Sequence, residues 1–229
     1  YKEMMLFLYL ILLTIPLYYI FGVFDIRKNI YINSISSGKK GSVYLTFDDG
    51  PDAELTPIIL DILHKHCIKA TFFLIGVSIQ KNQEIVKRIH KEGHEIGCHT
   101  YNHKSTFPLY SQNNMEIELI KTNSLITAIT SNKSKLFRPP YGVTNPNISK
   151  VLKKLEMISI GWDVRSLDTV ISNSNVLYER VIRGIEKGGS IILFHDRCNS
   201  TIESLENIIN YCQKNNLQFK TITEIIDEK

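Results

Sequence analysis

The chain is 229 residues long with 43% hydrophobic and 22% charged residues, a composition that excludes a disordered or collagen-like polymer. Its 27 basic and 23 acidic residues leave a net charge of +4 with no basic run longer than two, so there is no electrostatic footprint for nucleic acid. Cys67, Cys98, Cys198 and Cys212 form neither CxxC pairs nor a dense framework and read as buried free thiols.

Residues 4–24 carry no charged side chain and are almost wholly Leu, Ile, Met, Phe, Tyr and Val. About 20 helical residues cross the roughly 30 Å hydrocarbon core, so this stretch predicts one N-terminal transmembrane helix, a signal anchor over 1–24. Tyr18 and Tyr19 suit the membrane interface, and Pro16 would bend the span. A polar linker, 25–42, ends in Ser-Ser-Gly-Lys-Lys-Gly.

Beyond it, β-rich apolar runs recur at 43–47, 70–75, 95–98, 136–138, 157–162, 190–194 and 218–222. Segments of helical period lie between them. Leu55, Ile58, Ile59, Ile62 and Leu63 share one helix face, as do Ile202, Leu205, Ile208, Ile209 and Cys212. Asn145 before Pro146 reads as a cap, and Gly93 and Gly188 stand where helices stop. Strands alternating with helices predict a mostly parallel sheet over one domain, 43–229. An open doubly wound sheet and a closed barrel both fit that count.

The polar residues favour the barrel, because they cluster after the strands. The first strand runs into Thr46-Phe47-Asp48-Asp49-Gly50-Pro51, the third into His99-Thr100-Tyr101-Asn102-His103 and the fourth into Arg138-Pro139-Pro140-Tyr141-Gly142. Trp162 to Thr169 follow the fifth strand, and His195-Asp196 the sixth. In a parallel βα barrel these ends share the face that hosts chemistry. The expected fold is therefore α/β, a distorted (β/α)7-type barrel preceded by one transmembrane helix.

His99 and His103, four apart, would lie on one side of a helical turn and could grip one ion. A carboxylate from Asp48 or Asp49 would complete a three-ligand site with positions left for water, the layout of a catalytic metal. Consecutive side chains of extended backbone point apart, so one aspartate would ligate and the other would be free to act as a base. Non-haem iron oxygenases use the same donor types, but there the carboxylate commonly lies two residues from a histidine. Cys98, preceding His99, turns by strand alternation into the core. His64, His66, His90 and His94 read as structural or exposed.

TFDDGP, HTYNH and RPPYG in this order, with the His195 segment, resemble the polysaccharide deacetylase family, carbohydrate esterase family four, from about Val43 onward. The resemblance implies a distorted barrel and a divalent-metal hydrolase that removes acetyl groups from N-acetylated sugars or from O-acetylated xylan. It implies Asp49, His99 and His103 as metal ligands, Asp48 as general base and His195 as general acid. Arg138 would hold the base and Asp168 would orient the acid. Leu193 would wall the acetyl-methyl pocket, with the backbone N–H of Tyr141 as oxyanion donor. Where the family's fourth motif usually ends in Asp-Trp, this chain has Asp168-Thr169, and Trp162 could fill the missing wall by another route.

The expected activity is N-deacetylation of an N-acetylglucosamine-containing polysaccharide, peptidoglycan or a chitin-like glycan. An O-acetyl esterase and a catalytically silent glycan-binding protein are the alternatives. Zn²⁺ is the expected ion, with Co²⁺ or Mn²⁺ fitting the same ligands. Lys2 precedes the apolar segment while Arg27, Lys28, Lys39 and Lys40 follow it, a charge bias toward a cytoplasmic C-terminal side. The polymer substrates lie outside the cell, so the expected location is membrane-anchored with the catalytic domain extracytoplasmic. The oligomeric state is not set by the sequence.

Overall fold

The computed structural model describes Met5 and residues 22–227. Eight parallel strands are formed by β1 (Ser42–Asp48), β2 (Thr71–Leu74), β3 (Glu95–Cys98), β4 (Leu136–Phe137), β5 (Ile158–Ser159), β6 (Val164–Arg165), β7 (Ile191–His195) and β8 (Gln218–Phe219). Between and after them lie α1 (Leu55–Lys65), α2 (Gly76–Lys81), α3 (Gln83–Lys91), α4 (Gln112–Thr130), α5 (Pro146–Leu155), α6 (Ser174–Glu186), α7 (Asn199–Lys214) and α8 (Ile222–Asp227). Seven strands run in the order β5-β4-β3-β2-β1-β7-β6, and β8 pairs with the start of β1.

Strand alternation sorts the side chains into two cores. Leu45 and Phe47 of β1, Phe72 of β2 and Phe194 of β7 face the helices, with Phe47 stacked between Phe72 at 5.0 Å and Phe194 at 5.8 Å. These cross-strand aromatic pairs tie the three central strands together. The other face carries Tyr44, Phe73, Leu136, Ile160 and Ile191, which fill the concave side of the sheet. Gly97 belongs to this face, where an added Cβ would come within 2.4 Å of the Phe73 ring. By the same alternation Thr46, Asp48, Arg138, Leu193 and His195 continue the concave face toward the C-terminal strand ends.

Two expectations are corrected. The barrel is not closed: β5 and β6 are the ends of the strand order and do not pair with each other, so the fold is a half-barrel of seven parallel strands. β6 is only two residues long, lies inside the segment expected to be loop, and is held by β7 through the Val164↔Ile192 register. Second, no helix among the described residues is long and apolar enough to cross a membrane. Apart from Met5 and Gly22–Phe24, the stretch expected to span lies outside the described residues. The membrane anchor, and the anchored location that rested on it, are therefore not carried by this structure.

The open side is covered by residues 22–38. Thr144 donates from its N–H to Val23 O and from its hydroxyl to Gly22 O. Ile26, buried, lies against Gly161, and Ile35 forms a parallel bridge to Ile160 beyond β5. Ser34 donates to Ser159, and Gly38 N–H to Ser190 Oγ ahead of β7. The strip thus satisfies a sheet edge that would otherwise present unpaired backbone.

Asn145 caps α5 by accepting from Ile148 N–H, with Pro146 in the first turn, and Gly93 and Gly188 take positive φ after their helices, as expected. Cys98 and Cys212 are buried, whereas Cys67 is exposed and Cys198 half-buried; all four are free thiols. Burial pushes the Cys98 thiol up to about 12 and leaves it inert at neutral pH.

His94 departs from an ordinary surface histidine. It is buried before β3, where its Nδ1 accepts the Ala70 N–H at 3.2 Å. That bond requires a neutral ring, and burial, helped by Lys69 and opposed by Glu92, pushes the pKa down to about 4. The unfolded chain takes up this proton near pH 6.5, so the stabilisation is full above that pH and is lost as pH falls toward 4. For this site alone the loss between pH 7.5 and pH 4 is about 3 kcal/mol. Denaturant titrations of the parent and of His94→Asn, which keeps an acceptor near Ala70, should show this acid-side slope flattened in the variant.

Candidate metal centre and active site

β1 ends at Asp48, whose side chain is buried on the concave face. Asp49 then adopts φ 75, a left-handed conformation uncommon for a residue with a side chain. This turn brings consecutive carboxylates to one place, although extended backbone would have pointed them apart. Backbone held this way is a signature of functional sites.

Asp49 Oδ1 lies 3.5 Å from His99 Nε2 and 3.4 Å from His103 Nε2. It is buried and has no hydrogen-bond partner, so this carboxylate oxygen is left bare between two imidazole nitrogens. Burial disfavours its charge, but the neighbouring histidines outweigh that and hold the carboxyl well below its usual range. His99 Nδ1 meets the Arg138 carbonyl at 2.7 Å; since a carbonyl only accepts, Nδ1 carries a proton and Nε2 is the nitrogen turned toward Asp49. Burial pushes His103 down to about 4, which keeps it neutral as a ligand must be. The three ligand atoms lie within 4.8 Å of one another, so Asp49, His99 and His103 form a group able to hold a metal ion. The orphaned oxygen and the two imidazole nitrogens turned toward it fit a divalent cation.

The two histidines are not on a helical turn, as their spacing suggested. They lie on an irregular loop with Thr100 at φ 62 and His103 at φ 50. Glu118, buried on α4, shapes that loop: its Oε2 accepts the N–H groups of Tyr101 and Asn102, and its Oε1 accepts the Asn102 amide. Glu118→Ala removes all three hydrogen bonds. Loss of such outer supports typically costs 10–100-fold in metal affinity, and competition with a chromophoric chelator should show a drop of that order.

Two ion pairs flank the metal group. Asp48 Oδ1 accepts from Arg138 Nη1 at 2.7 Å, and Asp48 Oδ2 lies 3.8 Å from His99 Nε2. Arg138 is fully buried and also donates to Thr46 Oγ1, Ile160 O and Gly161 O, with its guanidinium 4.2 Å from the Phe73 ring centre. On the other side Asp168 accepts from His195 Nδ1 at 2.7 Å, from His195 N–H at 2.6 Å and from Thr201 Oγ1 at 2.6 Å. Burial works against the imidazolium, but the Asp168 bond together with Asp48 and Asp49 raises the His195 pKa. Asp168 shifts the opposite way, its charge favoured by His195 and Thr201 over burial.

Asp48, Asp49, His99, His103, Tyr141, Trp162, Leu193 and His195 all line one cleft of about 190 Å³; Arg138 and Asp168 stand behind it. Tyr141, at φ 59, is 58% exposed with its ring 5.1 Å from His103. Gly142 follows at φ 70, and a Cβ there would lie 2.5 Å from Trp162 Cη2, so the indole packs directly on this backbone. Trp162 and Thr169 therefore share the cleft wall, the arrangement open to it when no tryptophan follows Asp168. Residues without an expected role also enter. Arg197 lines the cleft and donates from Nε to Asp49 Oδ2 at 2.8 Å. Its place directly after His195-Asp196 was the available signal; Glu118 and Thr201 gave none.

The family model described as polysaccharide deacetylase matches residues 36–160. The peptidoglycan-N-acetylglucosamine deacetylase PgdA of Listeria monocytogenes is 34% identical over 189 residues, covering 82% of this chain and 39% of that protein. The chain thus spans about two fifths of the length of that relative. Among solved structures, the Bc1960 peptidoglycan N-acetylglucosamine deacetylase superposes with a TM-score of 0.79 at 33% identity, covering 84% of this chain and 92% of the other. BA3943 from Bacillus anthracis, described as a CE4 family pseudoenzyme, superposes with a TM-score of 0.77 at 35% identity, covering 84% and 67%. With a half-barrel whose strand ends gather the Asp48–Asp49 pair, His99, His103 and His195 into one cleft, and a family model matching over half its length, the chain belongs to the polysaccharide deacetylase family.

Proposed function

We propose that the chain is a metal-dependent N-deacetylase acting on an N-acetylglucosamine-containing polysaccharide, peptidoglycan or a chitin-like glycan. One observation carries this reading: the bare Asp49 oxygen between two imidazoles lies in a cleft with a carboxylate–arginine pair and a histidine–carboxylate pair at its sides. Likeness alone does not decide turnover, because an enzyme and a pseudoenzyme resemble the chain about equally. The full set of acid, base and ligand side chains argues against a silent binding protein.

A divalent ion held by Asp49, His99 and His103, with Zn²⁺ the expected occupant, would supply Lewis acidity and lower the pKa of a water in the cleft. Asp48 takes a proton from that water as its oxygen adds to the acetyl carbonyl carbon. Arg138 fixes the accepting carboxylate in place through its hydrogen bond to Oδ1. The backbone N–H of Tyr141 donates to the oxygen on which negative charge develops, an interaction whose loss typically costs about 3–4 kcal/mol. His195 gives its proton to the sugar nitrogen as the carbon–nitrogen bond breaks, leaving acetate and a free amine. Asp168 holds His195 in the tautomer and charge state for that step. Trp162 and Leu193 enclose the acetyl methyl.

Acetate release by the metal-loaded chain, assayed side by side on N-acetylated glycan strands, chitooligosaccharides and acetylated xylan, tests the reading, with Asp49→Ala as the blank. Release from an N-acetylated substrate supports it. Release from xylan alone replaces it with an O-acetyl esterase, and silence on all three with metal bound replaces it with a glycan-binding protein.

A further inference from the structure

Outside the reaction cleft, a groove of about 640 Å³ runs along the free edge of β6 and the outer face of α6. Four cations line it: Arg165 from β6, and Arg180, Arg183 and Lys187 from α6 and the residue after it. Positions 180, 183 and 187 recur at three and four residues and so stand on one side of the helix. Like charges in that spacing oppose helix formation slightly, and among the described residues no salt bridge to an acidic side chain relieves any of the four. The helix dipole accounts for cations at the C-terminal end, where Arg183 lies in the last turn and Lys187 at the cap. It does not account for Arg180 in mid-helix or for Arg165 on the strand.

Two carboxylates share the groove. That of Asp163 is occupied by the N–H groups of Ser190 and Ile191 and by the Ser190 hydroxyl. Glu179 is exposed and pairs with none of the four cations. Arg180 Nε donates to the Arg165 carbonyl at 2.9 Å, which fixes one guanidinium at the head of the groove and leaves its terminal nitrogens available. Arg165 itself lines both the groove and the reaction cleft, so the two spaces adjoin at this residue.

We propose that this groove is an anion-binding subsite for the polymer: it takes a carboxylate or phosphate carried by the glycan next to the sugar being deacetylated. Guanidinium forks match the paired oxygens of both groups, and a volume of this size accommodates a ligand of a few hundred daltons. The subsite rests on the reading of the cleft as a deacetylase, because Arg165, shared by the two spaces, sets the groove beside the reacting acetyl group. It makes the preferred substrate an acidic glycan and leaves an uncharged chitin-like chain as the weaker ligand.

The test uses the metal-loaded full chain and three end-labelled oligosaccharides of equal length, with binding read before acetate accumulates. One is an uncharged chitooligosaccharide, one a peptidoglycan strand freed of peptide and bearing lactyl carboxylates, and one a phosphate-bearing glycan. At least one of the anionic strands is expected to bind about tenfold more tightly than the neutral one at low salt. The preference should disappear in R180Q/R183Q/K187Q, with the neutral strand unaffected. Raising the salt to 1 M should erase it too. Glu179→Gln, which removes an opposing charge, should strengthen anionic binding about twofold. Equal binding of all three strands, or a preference that survives the triple variant, overturns the subsite. Acetate release with charge-blind binding defeats the groove alone, whereas charge-dependent binding without release from any substrate defeats the deacetylase reading alone.

Discussion

In His195→Ala, hydrolysis of the N-acetyl group falls by about 10²–10⁴-fold, the usual worth of a positioned general acid. Hydrolysis of an activated acetate ester by the same variant falls far less. The split follows from the leaving groups: an amine departs only with a proton, while a stabilised alkoxide or phenoxide departs without one. Asp168 makes the histidine suited to the step, since its carboxylate holds Nδ1–H and favours the imidazolium against the cost of burial. The raised pKa keeps the acid form populated at higher pH, so activity is retained until pH climbs through that value. Asp168→Asn should move this alkaline limb to lower pH while the protein stays folded. Initial rates on matched amide and ester substrates across pH check both statements, and equal losses on the two substrates would remove His195 from the acid role.

Arg138→Met should cost about 3–5 kcal/mol of unfolding free energy, because removal of one member of a buried pair leaves the other charge uncompensated. The partner here is Asp48, itself buried, and the guanidinium also supplies the Ile160 and Gly161 carbonyls with donors. Its size lets it reach from β4 across the concave side to β1 and to the residues beyond β5. Activity should collapse with stability, since Asp48 would lose the hydrogen bond that orients it. Denaturant titration of the folded variant measures the first effect. The double variant Arg138→Met/Asp48→Asn separates them: it removes the stranded charge and should recover a substantial part of the stability with none of the activity.

The strand pattern was legible because the central strands are buried on both faces and read as apolar runs. Seven of the eight strands overlap the expected segments, and Cys98 lies in the core opposite His99 as alternation required. β6 was hidden for the converse reason: two residues carry no periodicity, and only the register with β7 makes them a strand. α4 was hard to read as amphipathic because its buried stripe includes Glu118, Thr122 and Asn123. Each is satisfied locally or through the structure it supports: Thr122 donates to the Glu118 carbonyl, and Asn123 exchanges two hydrogen bonds with Ser134. In the cleft, the candidate side chains carry their own chemistry and declare themselves by type and position. Residues that act by holding them, such as Glu118 and Thr201, come from distant segments and declare nothing until the chain is folded. The expected transmembrane span rested on hydropathy alone, and the described residues supply no helix to support it.

The strip over 22–38 changes where the folding unit begins. A fragment starting at Ser42, the first residue of β1, would keep every strand and every residue of the cleft. It would also strip Ile26 and Ile32 from the structure and leave the backbone of Ser159 and Gly161 without Ile35. An uncovered parallel edge of this kind recruits a second chain. Light scattering should find such a fragment self-associating, while one that starts at Gly22 stays monodisperse. The half-barrel is thus completed by a stretch that its linker-like composition would have marked for removal.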